Sequence, residues 1–169
     1  MPNQGPFELK RSPEDESNAI LLTFDSRWRT SLVTGQVRVV FRKMGPKAFV
    51  PDLMYAYVAS PDSAIVARMP ITSYAAMPLK DAVQLADQGA ISAEELIQYA
   101  HTWQELIVMH VGAVAVAKAP ITYDYLAKEY NYWPSSTFIP LSRTGKTVLD
   151  KLGQFVLADT RATPPKATS

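Results

Sequence analysis

The stretch "VTGQVRVVFRKMGPKAF", residues 33–49, decides how the rest of the chain is read. Val37, Val39, Val40 and Phe41 have the branched and aromatic side chains of a buried strand. Arg38, Arg42, Lys43 and Lys47 are threaded among them, between Gly35 and Gly45. On regular strand alternation Arg38 and Arg42 share one face with Val40, and Phe41 shares the other with Val37 and Val39. The two arginines and Lys47 then line a cleft, while Phe41 anchors the core.

The charge around this stretch is one-sided. Residues 26–51 hold six basic side chains (Arg27, Arg29, Arg38, Arg42, Lys43 and Lys47) and no acidic one. The whole chain has 17 basic and 16 acidic residues, so the remainder carries 11 against 16, a balance of −5 behind a net charge of +1. A local excess of this kind makes a positive patch suited to a polyanion. The competing reading is a solvated face whose countercharges come from elsewhere in the fold.

At 169 residues, 47% hydrophobic and 20% charged, the chain fits one globular domain with a real core. It has no cysteine, which excludes disulfides, thiolate catalysis and cysteine-ligated zinc or iron–sulfur clusters. With only His101 and His110, no metal or cofactor is expected. His110 reads as a satisfied core residue and His101 as a helix-end residue; neither has a triad partner at diagnostic spacing. "TGKT" at 144–147 is not a phosphate loop, because Pro140 stands where its first glycine is needed. The longest apolar run, "LIVMHVGAVAVA", is shorter than the roughly 20 residues of a membrane helix. Residues 1–18 read as a flexible lead-in without the apolar core of a signal peptide. Residues 19–157 form the domain, and 158–169 read as a disordered tail. The expectation is a soluble, cytoplasmic protein.

Within the domain, "NAILLTF" is a strand. "DSRWRTSLVTG" is a helix capped by Asp25 or Ser26 and released at Gly35. "QVRVVFRK", "LMYAYVAS" and "SAIVARMPITSYAAMP" are the next strands, the last with an edge or bulge at Pro70. "PLKDAVQLADQGAISAEELIQYA" holds two helices, the second started by a Ser92–Glu95 capping box. One or two strands, a short helix over "YDYLAKEY", an aromatic loop leading to a short strand, and a final helix over "SRTGKTVLDKLGQFVLA" capped by Ser142 or Thr144 complete the order. Four strands ahead of paired helices do not make a βαβ repeat. The order predicts an α+β fold: a small mixed or antiparallel β-barrel of about five to six strands with flanking helices. Tyr132 and Trp133, loop aromatics beside a basic region, are candidates to stack on unpaired bases.

The order of "TGQVRVVFRK", "MYAYVASPDSAIVA", "GAISAEELIQYA" and "WPSSTF" resembles the ASCH-type branch of the PUA-like superfamily, particularly its stand-alone prokaryotic members. The resemblance spans roughly residues 19–141. It implies a small barrel with a cleft between the barrel and the first helix, near the glycine-led segment. It also implies a ligand that is RNA, a modified base flipped from DNA, or a small modified nucleoside. The matching positions are Gly35, Arg42, Tyr57, Ser60, Pro61, Tyr99, Pro134, Ser136 and Phe138. The family's lysine two residues after the glycine is Val37 here, and its acidic position, threonine in amidohydrolase members, is Val40. An enzyme acting through those groups has lost both.

The resulting expectation is a non-catalytic nucleic-acid-binding module for RNA or (modified) DNA, with a regulatory use. Its contacts are Arg27, Arg29, Arg38, Arg42, Lys43, Lys47, Tyr57, Ser60, Trp133 and Ser136. One alternative is an ASCH-type nuclease or modified-nucleoside hydrolase, acting through Arg38, Arg42, Ser60 and Tyr57. The other is a protein-interaction regulator.

Overall fold

The structure, a computed structural model, describes residues 9–135 and 137–158. It has an α+β architecture of eight strands and five α-helices. Strand β1 (Ala19–Phe24) leads through a 3-10 turn, Ser26–Trp28, into α1 (Arg29–Val33). The Asp25 carboxylate accepts the Ser26 N–H at 2.8 Å and so starts this turn. Gly35, at φ 80°, provides the left-handed exit. Strands β2 (Val39–Arg42), β3 (Leu53–Val58) and β4 (Ala64–Pro78) follow. Helix α2 (Leu79–Ala82) tightens into a 3-10 segment, Val83–Gly89, before α3 (Ala93–Ala100). Then come β5 (Glu105–Val111), β6 (Ala115–Thr122), α4 (Tyr123–Tyr130), β7 (Phe138–Pro140), α5 (Arg143–Gly153) and β8 (Phe155–Leu157).

The main strand order is β2-β5-β4-β3-β1-β7, with β6 joining β4 to β8. Only β1 and β3 run parallel; the other pairs are antiparallel. Strand β4 explains how one sheet serves two halves. Its first part pairs with β3 and β6, and its second part, from Ile71 onward, pairs with β5. Pro70 lies at the handover, and the β5 register shifts between Ile71 and Ser73. A residue without an N–H fits such a break. Among the described residues no ladder joins β2 to β7, so the sheet stays open. The strand count is eight, above the five to six expected, because the segment after α3 gives two strands and the stretch read as one final helix ends in the three-residue strand β8; the short β7 after the aromatic loop was expected.

Three apolar clusters hold the layers together. Ile20, Leu22 and Phe24 of β1 enter one cluster with Leu32, Val37 and Val40. Ala19 and Leu21 of the same strand enter a second, with Tyr55, Tyr57, Tyr132 and Leu149. Strand β1 is therefore covered on both faces, which is why it reads as a continuous apolar run. The third cluster packs Leu96 and Ala100 of α3 and Ala86 onto Val39, Leu106 and Val108. Ser142 caps α5 through the Gly145 N–H at 2.8 Å, so "TGKT" is the first turn of a helix. The Ser92–Glu95 capping box of α3 is present. No helix among the described residues is long and apolar enough to cross a membrane.

The alternation expected from residue 37 onward holds only from Val39. Val37 and Val40 lie in the same cluster, and Val39 lies in the one beneath α3. The cause is local. The Gln36 and Val37 N–H groups both donate to the Ser31 carbonyl, and the Arg38 N–H donates to Gln88 at 2.7 Å. This segment is tied to α1 and to the 3-10 segment before it joins the sheet.

Candidate functional site

A cleft of about 290 Å3 opens where β2, the C-terminal end of β1, the first helical turn and α3 meet. That volume is near the lower limit of about 300 Å3 for small-molecule sites. Strand β2 is the last strand of the ladder on this side, so its outer edge forms one wall. Phe24, Trp28, Phe41 and Tyr99 supply aromatic surface, and Val37 and Val40 supply methyl groups. Gly89 closes the back. A Cβ there would stand 2.7 Å from the Phe41 ring and 2.9 Å from the Val39 carbonyl oxygen, so the 3-10 segment approaches β2 only because the residue is glycine.

Arg42 is the polar centre of this cleft. Its guanidinium donates one hydrogen bond to the Thr23 carbonyl at 2.7 Å and stacks 4.8 Å above the Phe24 ring. Burial lowers its pKa from the ordinary value, with the Tyr99 hydroxyl acting the other way. An arginine keeps its proton under such pressure, so the site contains a partly desolvated cation. Among the described residues no carboxylate lies within ion-pair distance of Arg42. A guanidinium offers five N–H donors in a plane, and one is used here. The remaining donors suit an acceptor pair, whether phosphate oxygens or a base edge.

The other expected contacts separate into groups. Arg27 and Trp28 share the first helical turn, but the Arg27 guanidinium grips Glu95 of α3 at 2.8 and 3.4 Å. Arg29 pairs with Asp62 at 3.1 Å. Arg38 is exposed and does not line the cleft. Lys43 lies at the rim: its N–H donates to the Tyr99 hydroxyl at 3.2 Å, and its Nζ is 4.9 Å from that ring. Lys47 belongs to a different groove. Tyr57 is buried in the second cluster, 5.4 Å from Tyr132, and Ser60 sits exposed in the β3–β4 turn. Trp133 is exposed, 6.2 Å from Tyr123 and outside the cleft wall. Ser136 lies outside the described residues.

Of the ten expected contacts, then, Arg42 lines the cleft and Lys43 stands at its edge. Reasoning from the residues missed Asp25, Phe24, Trp28, Gly89 and Ile91 as cleft residues. The signal for Gly89 was present in "DQGAIS", read only as a break between helices. His110 hydrogen-bonds through Nδ1 to Ser73 Oγ at 2.9 Å. Among the described residues no group of three His, Cys, Asp or Glu is placed to hold a metal.

No protein-family model matches the chain, and no curated protein matches it. Solved structures do. The ASCH protein from Zymomonas mobilis aligns with a TM-score of 0.73 at 14% identity, over 80% of this chain and 95% of that one. A serine-to-alanine mutant of the same protein aligns at 0.74 and 14% identity, over 82% and 98%. The N-terminal domain of Staphylothermus marinus McrB aligns at 0.57 and 10% identity, over 88% and 100%. Identities this low speak for the shape of the backbone alone, and that shape is shared over most of the chain. Over most of its length, the chain shares the fold of the Zymomonas mobilis ASCH protein.

Proposed function

We propose that the cleft is the ligand site of a non-catalytic nucleic-acid-binding module, which takes an unpaired base or a phosphate of RNA or (modified) DNA. The observation that carries this reading is Arg42, a partly buried cation that no carboxylate among the described residues pairs with, lining an aromatic-walled cleft that also holds Asp25. A cation is costly to desolvate unless something compensates it, and one carbonyl compensates little. An acceptor-rich ligand completes the compensation. Trp28, Phe41 and Tyr99 offer surface against which a flat ring packs. The resemblance noted in the sequence points to the same ligand class.

Val37 and Val40, in place of the family's lysine and polar partner, put methyl groups where proton transfer needs a titratable group. This supports binding over catalysis. Of the candidate actors for hydrolysis, Arg42 lines the cleft, while Arg38, Ser60 and Tyr57 do not. A regulatory use and a cytoplasmic location belong to the same proposal. The test is filter binding of RNA and DNA single strands to the wild type and to Arg42→Met. Affinity should fall about 10- to 100-fold, the worth of charge-assisted bonds to a phosphate or base edge. Equal affinity removes the cleft as the site.

A further inference from the structure

A second and larger groove, about 730 Å3, lies on the far side of Lys43 from the cleft. The loop 43–50 forms one wall, and the paired ends of β4 and β5 with Trp103 form the other. The loop is fixed in place. The Tyr74 hydroxyl donates to the Pro46 carbonyl at 2.6 Å, and Gly45 passes so close that ring carbons of Tyr74 stand 3.2 Å from where a Cβ would be. Three large side chains around the groove are left to solvent: Met44 is 52% exposed, Val50 66% and Trp103 43%. Its charged residues are two amines, Lys43 and Lys47, against one carboxylate, Glu105.

Lys43 connects the two depressions. It lines the groove, while its N–H and its Nζ both engage Tyr99, a wall of the cleft. A strand leaving the cleft in this direction passes its next phosphate over an amine and meets an exposed indole. We infer that this groove takes the nucleotide adjacent to the one in the cleft, with its base against Trp103 and the linking phosphate at Lys43, so that the partner is a single strand of at least two nucleotides. The inference rests on the cleft reading. The balance of amines favours a polyanion over an apolar peptide, and an indole face accepts any base.

Chain-length dependence tests it. Affinities of the wild type and Trp103→Ala are measured by fluorescence anisotropy or calorimetry for 5′-mononucleotides, a mixed-sequence single-stranded 8-mer and the corresponding duplex. The 8-mer should bind the wild type at least about tenfold more tightly than any mononucleotide and more tightly than the duplex. Trp103→Ala should weaken the 8-mer about fivefold or more and leave mononucleotides unchanged. Trp103→Phe, which keeps a ring, should retain most of the affinity, and quenching of tryptophan fluorescence should accompany 8-mer binding. Equal binding of mononucleotide and 8-mer overturns the inference, as does a duplex that binds as well, or a Trp103→Ala variant that loses only a protein partner. If no nucleic acid of any length binds and Arg42→Met changes nothing, the cleft reading itself fails, and this inference falls with it.

Discussion

Two arginines of this protein occupy similar positions and are treated in opposite ways. Arg42 of β2 lies over Phe24 at 4.8 Å, and Arg68 of β4 lies over Phe155 at 5.2 Å. Arg68 donates to the Asp150 carboxylate at 2.6 Å. The same carboxylate accepts the Tyr55 hydroxyl and pairs with Lys146 at 3.5 Å. That network fastens α5 and its following strand to the sheet. Arg42 has a carbonyl and an aromatic face, and beyond them a cleft. The lesson is that a partly buried cation with its countercharge built in serves the fold, whereas one without it is where the proposed ligand site rests.

The largest effect belongs to the satisfied side. Asp150→Ala leaves Arg68 and Lys146 without their carboxylate and the Tyr55 hydroxyl without its acceptor. With the Arg68 and Asp150 side chains about 30% exposed, the cost falls at the low end for breaking a buried pair, about 3 kcal/mol. For a chain of this size that lowers Tm by roughly 6–12 °C. Below the transition, binding of nucleic acid should be unchanged. A Tm within about 2 °C of the wild type would mean that α5 is held by apolar packing alone, and the contrast would lose its first half.

Arg42→Met should do the reverse. A partly desolvated charge is replaced by an apolar chain of similar length, an exchange that is neutral or stabilising for buried ionic groups. Thermal unfolding should show Tm unchanged or higher by about 2–4 °C, while affinity drops about 10- to 100-fold. A variant that is less stable and binds as before would make Arg42 a structural residue like Arg68.

A third prediction uses pH to isolate the satisfied network. Burial first, and the adjoining Asp150 carboxylate second, push the Tyr55 hydroxyl above its ordinary value. A group raised in the folded state contributes stability that is fully present below its unfolded value, near pH ~10, and is lost as pH rises toward the folded value. The added slope is about 1.4 kcal/mol per pH unit once the unfolded chain ionises. Tyr55→Phe should therefore start lower at neutral pH and decline less steeply in denaturant titrations above pH ~10. Parallel curves for the two proteins would show that Tyr55 is not held in its neutral form by the network.

The legibility of these regions in the sequence follows the range of the interactions. Strand β1, the capping box at Ser92 and Glu95, and the cap at Ser142 depend on neighbours a few residues away, and their signals are local. The open path of the sheet depends on β4 changing partners at Pro70; the sequence shows the proline but not which strands it separates. The cleft was anticipated beside the glycine-led segment, and Arg42 was placed in it. Arg38 was placed there too, because alternation was extended through residues tied instead to Ser31 and Gln88. Whether a charge is already paired is a question of sequence separations such as the 82 residues from Arg68 to Asp150 and the 68 from Arg27 to Glu95. A count of cations between residues 26 and 51 contains no such information.

That last pair supplies the smallest and most discriminating prediction. Arg27 and Glu95 join the first helical turn to α3, two walls of the cleft, through an ion pair whose side chains are 48% and 44% exposed. The Arg27 guanidinium, with the Ser92 N–H, holds the Glu95 carboxyl below its ordinary value. Exposed pairs of this kind contribute little, so a phosphate competes with Glu95 for Arg27 on nearly equal terms. Glu95→Gln removes the charge but keeps the length and the reciprocal bond of the capping box, so α3 stays formed. The freed guanidinium, stacked 4.6 Å over Trp28 at the mouth of the cleft, then has no internal competitor. Affinity for single strands should rise about two- to fivefold at low salt, and the gain should disappear at high salt as the contact is screened. Arg27→Ala should lower affinity by a similar factor, and the double variant should behave as Arg27→Ala does. If Glu95→Gln binds no better than the wild type, Arg27 belongs with Arg68 as a fastening of the fold, and Arg42, with Lys43 at the rim, is left to carry the proposed site.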